Sequence, residues 1–173
     1  MLQLSKMLTD KPVLSLRTGA QVGTAVGPVI NPNNLKIEGW FVEDRFQKET
    51  LVVLAQDLRD IIPRGLVIDD ADALSKPEDL LRLQETLRIN FQLLGKSVVS
   101  NHHRHVGKVS DYAVDMESLF IQKLYVERSI FRSLTEGQLV IDRSQIIEIT
   151  PRRIVVREPE QKVTAQSVVP ANA

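Results

Sequence analysis

The sequence predicts a mainly β protein: two tandem small β-barrels joined by an amphipathic α-helix, in a chain of 173 residues. Three observations point there. Matched residues recur at a domain-sized interval. Each half reads as short β-branched and aromatic runs separated by turn chemistry. One stretch between the halves carries apolar residues at helical spacing.

The recurrence runs through both halves in order. Lys11-Pro12-Val13-Leu14-Ser15 returns as Lys96-Ser97-Val98-Val99-Ser100, and Val22-Gly23 as Val106-Gly107. Leu35, Ile37 and Val42 return as Leu119, Ile121 and Val126, and Leu51-Val52-Val53 as Leu139-Val140-Ile141. Ile61-Ile62-Pro63-Arg64, followed by Leu66 and Ile68, returns as Ile149-Thr150-Pro151-Arg152, followed by Ile154 and Val156. The offset is 84 to 88 positions, too long for a solenoid turn and right for a duplicated small domain. The expected divisions are 1–74 for the first barrel, 75–93 for the linking helix, 94–158 for the second barrel and 159–173 for a disordered tail.

The elements follow from local chemistry. In the second half, 97–100 is a short strand, 101–104 (Asn-His-His-Arg) a turn, and 106–114 and 119–126 two longer strands joined through Asp115-Met116-Glu117-Ser118. Arg17-Thr18-Gly19 and Asn31-Pro32-Asn33-Asn34 supply the corresponding turns of the first half, where Gly, Asn and Pro tolerate or preset reversing backbone angles. The segments 43–49 and 127–137 are irregular. Strands at 50–54 and 138–142, helical turns at 56–61 and 144–149, and closing strands at 66–69 and 153–157 complete each unit. Short strands at this spacing suit a closed barrel, which leaves no exposed sheet edge. Ser75-Lys76-Pro77-Glu78 has the form of a capping box, and Leu80, Leu83, Leu87, Phe91 and Leu94 follow at steps of three and four. A helix over 76–93, ending at Gly95, packs its stripe on the barrels.

Composition excludes several classes. Hydrophobic residues make up 43% and charged residues 25%, a globular balance. Lys and Arg number 22, as do Asp and Glu, so no general attraction to phosphate backbones or anionic lipid arises and direct nucleic-acid binding is not expected. The absence of cysteine rules out disulfides and thiolate chemistry and fits a reducing, cytoplasmic location. No apolar run reaches the roughly 20 residues needed to span a bilayer, and the first residues lack a secretory pattern.

Taken in order, Leu94-Gly95-Lys96-Ser97-Val98-Val99, then Val106-Gly107-Lys108-Val109-Ser110-Asp111-Tyr112, Leu119-Phe120-Ile121 and Ile154-Val155-Val156 resemble the PRC-barrel family. That family includes the H subunit of photosynthetic reaction centres and the C-terminal domain of the ribosome maturation factor RimM. The first half is the poorer match, with Gly23-Thr24-Ala25-Val26-Gly27 in place of the Gly-Lys-Val-x-Asp run. The resemblance implies small barrels that mediate macromolecular contacts and share no catalytic constellation. A RimM-like role in ribosome maturation is the alternative it offers, although RimM carries a different N-terminal domain.

Among candidate site residues, Trp40-Phe41 and the matching Leu124-Tyr125 stand out, because alternation along a strand turns one of each pair outward as a contact for a protein partner. Arg64, Arg152 and Arg153 follow the paired prolines and offer polar support, or else hold their turns. His102, His103 and His105 are a weak metal candidate, with an exposed polar turn the better reading. Asp69, Asp70 and Asp72 lack the glycine and distal glutamate of a calcium loop and read as a solvated loop. No phosphate loop, nucleophile elbow or carboxylate pair occurs. The expectation is a non-enzymatic adaptor without cofactor, a monomer or weak homo-oligomer, recognising a protein through two separate sites or one groove between the barrels.

Overall fold

The computed structural model describes residues 1–128 and 138–157. It is mainly β, with two sheets, one of them a half-barrel, and a short helix between them. The proposed tail and most of the irregular segment 127–137 lie outside the described residues.

In chain order the strands are β1 (Leu2–Leu4), β2 (Lys11–Ser15), β3 (Gln21–Asn31), β4 (Lys36–Asp44), β5 (Thr50–Leu54), β6 (Leu58–Ile62), β7 (Gly65–Ile68) and β8 (Leu74–Ser75). Helix α1 (Gln84–Ile89) precedes β9 (Ser97–Ser100), β10 (His105–Asp115), β11 (Ile121–Glu127), β12 (Leu139–Asp142), β13 (Ile146–Ile149) and β14 (Arg153–Val156). The first sheet runs β6-β7-β2-β3-β4-β5-β8, and the second β13-β14-β9-β10-β11-β12, with β1 added on β10.

Apart from β1 and β8 the two orders are identical, and so is strand sense: β2 lies parallel to β7, β9 parallel to β14, and the other matched pairs are antiparallel. Irregularities in pairing recur as well. The β3–β4 ladder shifts register between Ala25 and Gly27 and between Val29 and Ile30. The β10–β11 ladder shifts between Val109 and Asp111 and between Ala113 and Val114, each 84 positions on. Bulges bend and twist a long strand at set points, so a repeated bulge means a repeated curvature.

The matched residues perform matched tasks. Lys11 Nζ donates to the Pro63 carbonyl at 3.5 Å and Lys96 Nζ to the Pro151 carbonyl at 2.7 Å. Ser15 and Ser100 are buried, and their hydroxyls accept backbone N–H groups of the following turns, from Thr18 in one half and from His102 and Arg104 in the other.

Two predicted features take another form. The linking helix is much shorter than 76–93. Pro77–Asp79 and Leu81–Leu83 are separate 3-10 turns, broken where Leu80 adopts φ −91°, ψ 66°, and only Gln84–Ile89 is α-helical. The capping box does not form, because Ser75 is paired with Val52 in β8 instead. The helical turns expected at 56–61 and 144–149 are also cut short. Each is a three-residue 3-10 turn, Ala55–Asp57 or Arg143–Gln145, after which β6 and β13 pair with β7 and β14. Sheet pairing outweighs local helical preference there.

The apolar interior is continuous rather than divided between two barrels. Trp40, Val42 and Ile68 of the first half share one cluster with Leu124, Ile141 and Ile154 of the second. Each half is too small to bury much apolar surface alone, and the shared interior makes up the deficit.

Candidate functional site

The halves meet at the tips of the β3–β4 and β10–β11 hairpins. Ile37 N–H donates to the Leu119 carbonyl and Ile121 N–H to the Leu35 carbonyl, both at 2.9 Å. Adding 84 to the first pair gives the second with the halves exchanged, which is the reciprocity of a two-fold interface within one chain. Leu35 (φ 52°) and Leu119 (φ 58°) both hold the left-handed conformation that disfavours a branched side chain. The strain is set against the cross-half bonds and the closing bonds Leu35 N–H to Asn31 and Leu119 N–H to Asp115. Lys36 of the first half lies over the Phe120 ring of the second, with Nζ 5.8 Å from its centre, and Arg143 covers the same ring at 4.6 Å.

Beside this seam lies a cleft of about 400 Å³. The first half contributes the bulged stretch of β3 (Val26, Gly27, Pro28, Ile30) and Phe41; the second contributes Tyr112; residues 90–94, leading into β9, form the opposite wall. Among the described residues no ionisable group other than Tyr112 lines it, and burial, reinforced by the Asp111 charge, pushes that phenol above its ordinary pKa. Val26 is 43% exposed and Leu94 51% exposed, so the cleft continues outward as accessible apolar surface. At its edge Lys96 Nζ sits 4.6 Å from the centre of the Phe91 ring, and burial lowers the lysine pKa.

The predicted contact residues divide. Trp40 and Leu124 are fully buried and cannot present a surface to a partner; they are the inward members of their pairs. Trp40 Nε1 donates to the Leu8 carbonyl at 3.1 Å. Phe41 and Tyr125 are the half-buried outward members, and Phe41 lines the cleft. Arg64, Arg152 and Arg153 are exposed around the β6–β7 and β13–β14 turns and take no part in the cleft wall. Val26, Phe91, Leu94 and Tyr112 were not legible as site residues. The one available signal was the contrast of Gly27 with Asp111 at matched positions.

The histidines lie exposed along the β9–β10 turn and the start of β10, and among the described residues no three His, Cys, Asp or Glu side chains come together as a metal site. His103 (φ 60°) stands where the first half has Gly19 (φ 67°). The left-handed conformation costs a non-glycine residue about 1–2 kcal/mol, so His103→Gly is expected to raise unfolding free energy by about 0.5–1 kcal/mol after the extra chain entropy of glycine is lost. Urea denaturation checks this; a lowered midpoint would assign the imidazole a stabilising contact.

In the acidic loop Asp69 and Asp70 are paired, with Arg59 and Arg17. A hydrogen bond from Arg59 holds Asp69 below the usual carboxylate range. The Ala71 N–H, with lesser help from the Ser15 hydroxyl and the Arg17 charge, does the same for Asp70, and the Ser118 hydroxyl for Asp115. Carboxylates depressed on folding stabilise the native state above their unfolded pKa of about 3.9 and lose that contribution as pH falls through the folded value. Stability is therefore expected to be level from about pH 7 to 5 and to fall below about pH 4. Asp70→Asn should flatten the fall, as followed by denaturant midpoint against pH.

No family model matches the chain, and a search of curated proteins gives no match. Among the described residues no helix is long and apolar enough to cross a membrane.

Proposed function

We propose that this chain is a non-enzymatic adaptor built from two PRC-type barrels, and that it recognises a protein partner through one composite groove at the seam. The observation that carries this reading is the cleft itself. Its walls come from both halves, and two exposed apolar side chains, Val26 and Leu94, extend it beside Phe41. A protein contact needs an apolar centre that its partner can desolvate, with polar groups kept to the rim. Holding both halves by reciprocal backbone bonds fixes the walls in advance, which reduces the ordering cost of association. The repeated strand order and bulges support descent of both halves from one barrel unit.

Affinity capture from cell extract, using the full chain and a Phe41→Ser, Leu94→Ser variant, tests the reading. The expected result is at least one protein held by the parent, lost by the variant, and still held by Arg64→Ala. Identical captured proteins for parent and cleft variant would overturn it.

A further inference from the structure

We infer that the seam cleft binds a small, uncharged, apolar molecule that presents a hydrogen-bond acceptor to the Tyr112 hydroxyl; this goes beyond the adaptor reading and does not depend on it. Two observations carry it. The first is an unpaired polar group. Tyr112 is only 3% exposed. Its backbone N–H donates to Asp111 Oδ1, yet among the described residues nothing pairs with its hydroxyl. No side-chain N or O of the described residues is both enclosed and unpaired. That hydroxyl therefore reaches open space, and the cleft is the cavity that Tyr112 lines. Buried polar groups are nearly always paired; one left unpaired at a cavity wall is satisfied by what enters the cavity.

The second observation is the size and chemistry of the walls. A volume of about 400 Å³ falls among small-molecule sites, which run from roughly 300 to 1,000 Å³. Pro28 and Phe41 come from the first sheet, Tyr112 from the second, and Phe91 from the segment leading into β9. Pro28 and Tyr112 are matched residues, opposite Trp40 and Leu124 in their ladders. The two halves thus bring the same position of the unit to one cavity, and only one of them carries a hydroxyl. Aromatic walls suit a ring compound. A charged ligand would give up its hydration with no counter-charge on the walls, and an anion would also meet the Asp111 charge. Burial and that same charge keep the phenol protonated, and so a donor, at neutral pH.

The space exists because the halves differ there. Leu8 and Leu93 are matched and buried, and Lys11 and Lys96 hold the same offset of 85 positions. Counted back at that offset, β1 corresponds to 87–89, which lies within α1. In the second half β1 pairs with β10 along 113–115, and Asp111 Oδ1 accepts Ser5 N–H at 3.2 Å and Ser5 Oγ–H at 2.6 Å. In the first half α1 packs against β3 in that place. A helix is far wider than the spacing of paired strands and follows a sheet less closely. The bulge at Gly27, the position matched to Asp111, is left uncovered: a Cβ there would meet nothing within 4 Å.

Prodan, an uncharged dimethylaminonaphthalene bearing a ketone, serves as probe, titrated with the full protein at neutral pH and followed by its emission. Saturable binding is expected. Tyr112→Phe keeps the ring and removes the hydroxyl. It should weaken binding about fivefold, the worth of one neutral hydrogen bond, and move the bound emission to shorter wavelength as the ketone loses its donor. Dimethylaminonaphthalene without the ketone should bind the parent and Tyr112→Phe equally, an outcome that a merely structural effect of the substitution would not give. Gly27→Phe, which puts a ring into the cleft, should weaken both dyes roughly tenfold or more, with the unfolding midpoint of the parent retained. Should that variant not fold, the two dyes on Tyr112→Phe decide alone. Absence of saturable prodan binding, equal weakening of both dyes by Tyr112→Phe, or prodan binding that either folded variant leaves unchanged would overturn the proposal. If prodan fails while the Phe41, Leu94 variant still loses its captured protein, the ligand site falls and the adaptor reading stands.

Discussion

Trp40→Ala is expected to lower the free energy of unfolding by about 3–5 kcal/mol and to melt both halves in one earlier transition. For a chain of this length that corresponds to roughly 6–20 °C in Tm. The indole is wholly buried, and its cross-strand neighbours are Pro28 and Val53. Its Nε1–H satisfies the carbonyl of Leu8, itself without exposure, in the segment that carries the chain from β1 in the second sheet to β2 in the first. Alanine therefore opens a cavity and leaves a buried carbonyl unpaired at the crossing. Damage spreads because the interior is shared: Trp40 and Leu124 belong to the same apolar cluster. Both tyrosines of the chain, Tyr112 and Tyr125, lie in the second half, so in the variant tyrosine fluorescence follows that half alone. Its transition should coincide with the one seen by far-ultraviolet circular dichroism. A tyrosine transition that stays at the parent midpoint would mean that the halves unfold separately.

The duplication was legible because the matched residues are those whose chemistry a small sheet cannot exchange freely. Lysine reaches a proline carbonyl across a turn in each half, and a serine hydroxyl closes each first hairpin. The helix was less legible. Leu80, Leu83, Leu87, Phe91 and Leu94 keep helical spacing, yet only Phe91 is buried and Leu94 is half exposed. Spacing reports what a helix would do with a continuous apolar surface; here the break at Leu80 and the left-handed Asn90 (φ 44°) leave room for only six α-helical residues. Alternation indicated that one member of Trp40-Phe41 faces inward, but choosing which depends on register, and the Val26 bulge sets that register from the neighbouring strand. The cleft was illegible for a different reason. It arises where something is missing relative to the other half, a carboxylate at Gly27 and a strand at 87–89, and no local motif marks a missing partner.

Gly107→Ala and Gly23→Ala are expected to cost about 1–3 kcal/mol each, with Gly107→Ala the more severe, while Gly27→Ala on the same strand as Gly23 stays near neutral. A methyl at Gly23 would stand 2.6 Å from Val42 Cγ1 and 2.8 Å from the Glu43 carbonyl oxygen. At Gly107 it would overlap the Glu127 carbonyl oxygen and lie 2.8 Å from Val126 Cγ1. The obstructing residues are themselves matched, Val42 with Val126 and Glu43 with Glu127, so both glycines serve one close approach between the second and third strands of the unit. A side-chain clash can be relieved by a rotamer change; a clash with a carbonyl in a paired strand moves the strand. That approach sits where β3 and β10 pass from pairing with β2 and β9 to their bulges, and shifting it would also disturb the hairpin tips that join the halves. Both variants should therefore lose stability globally, with the same denaturant midpoint for Trp40 fluorescence and for tyrosine fluorescence. Equal midpoints for Gly107→Ala and Gly27→Ala would show that the second and third strands do not depend on this contact.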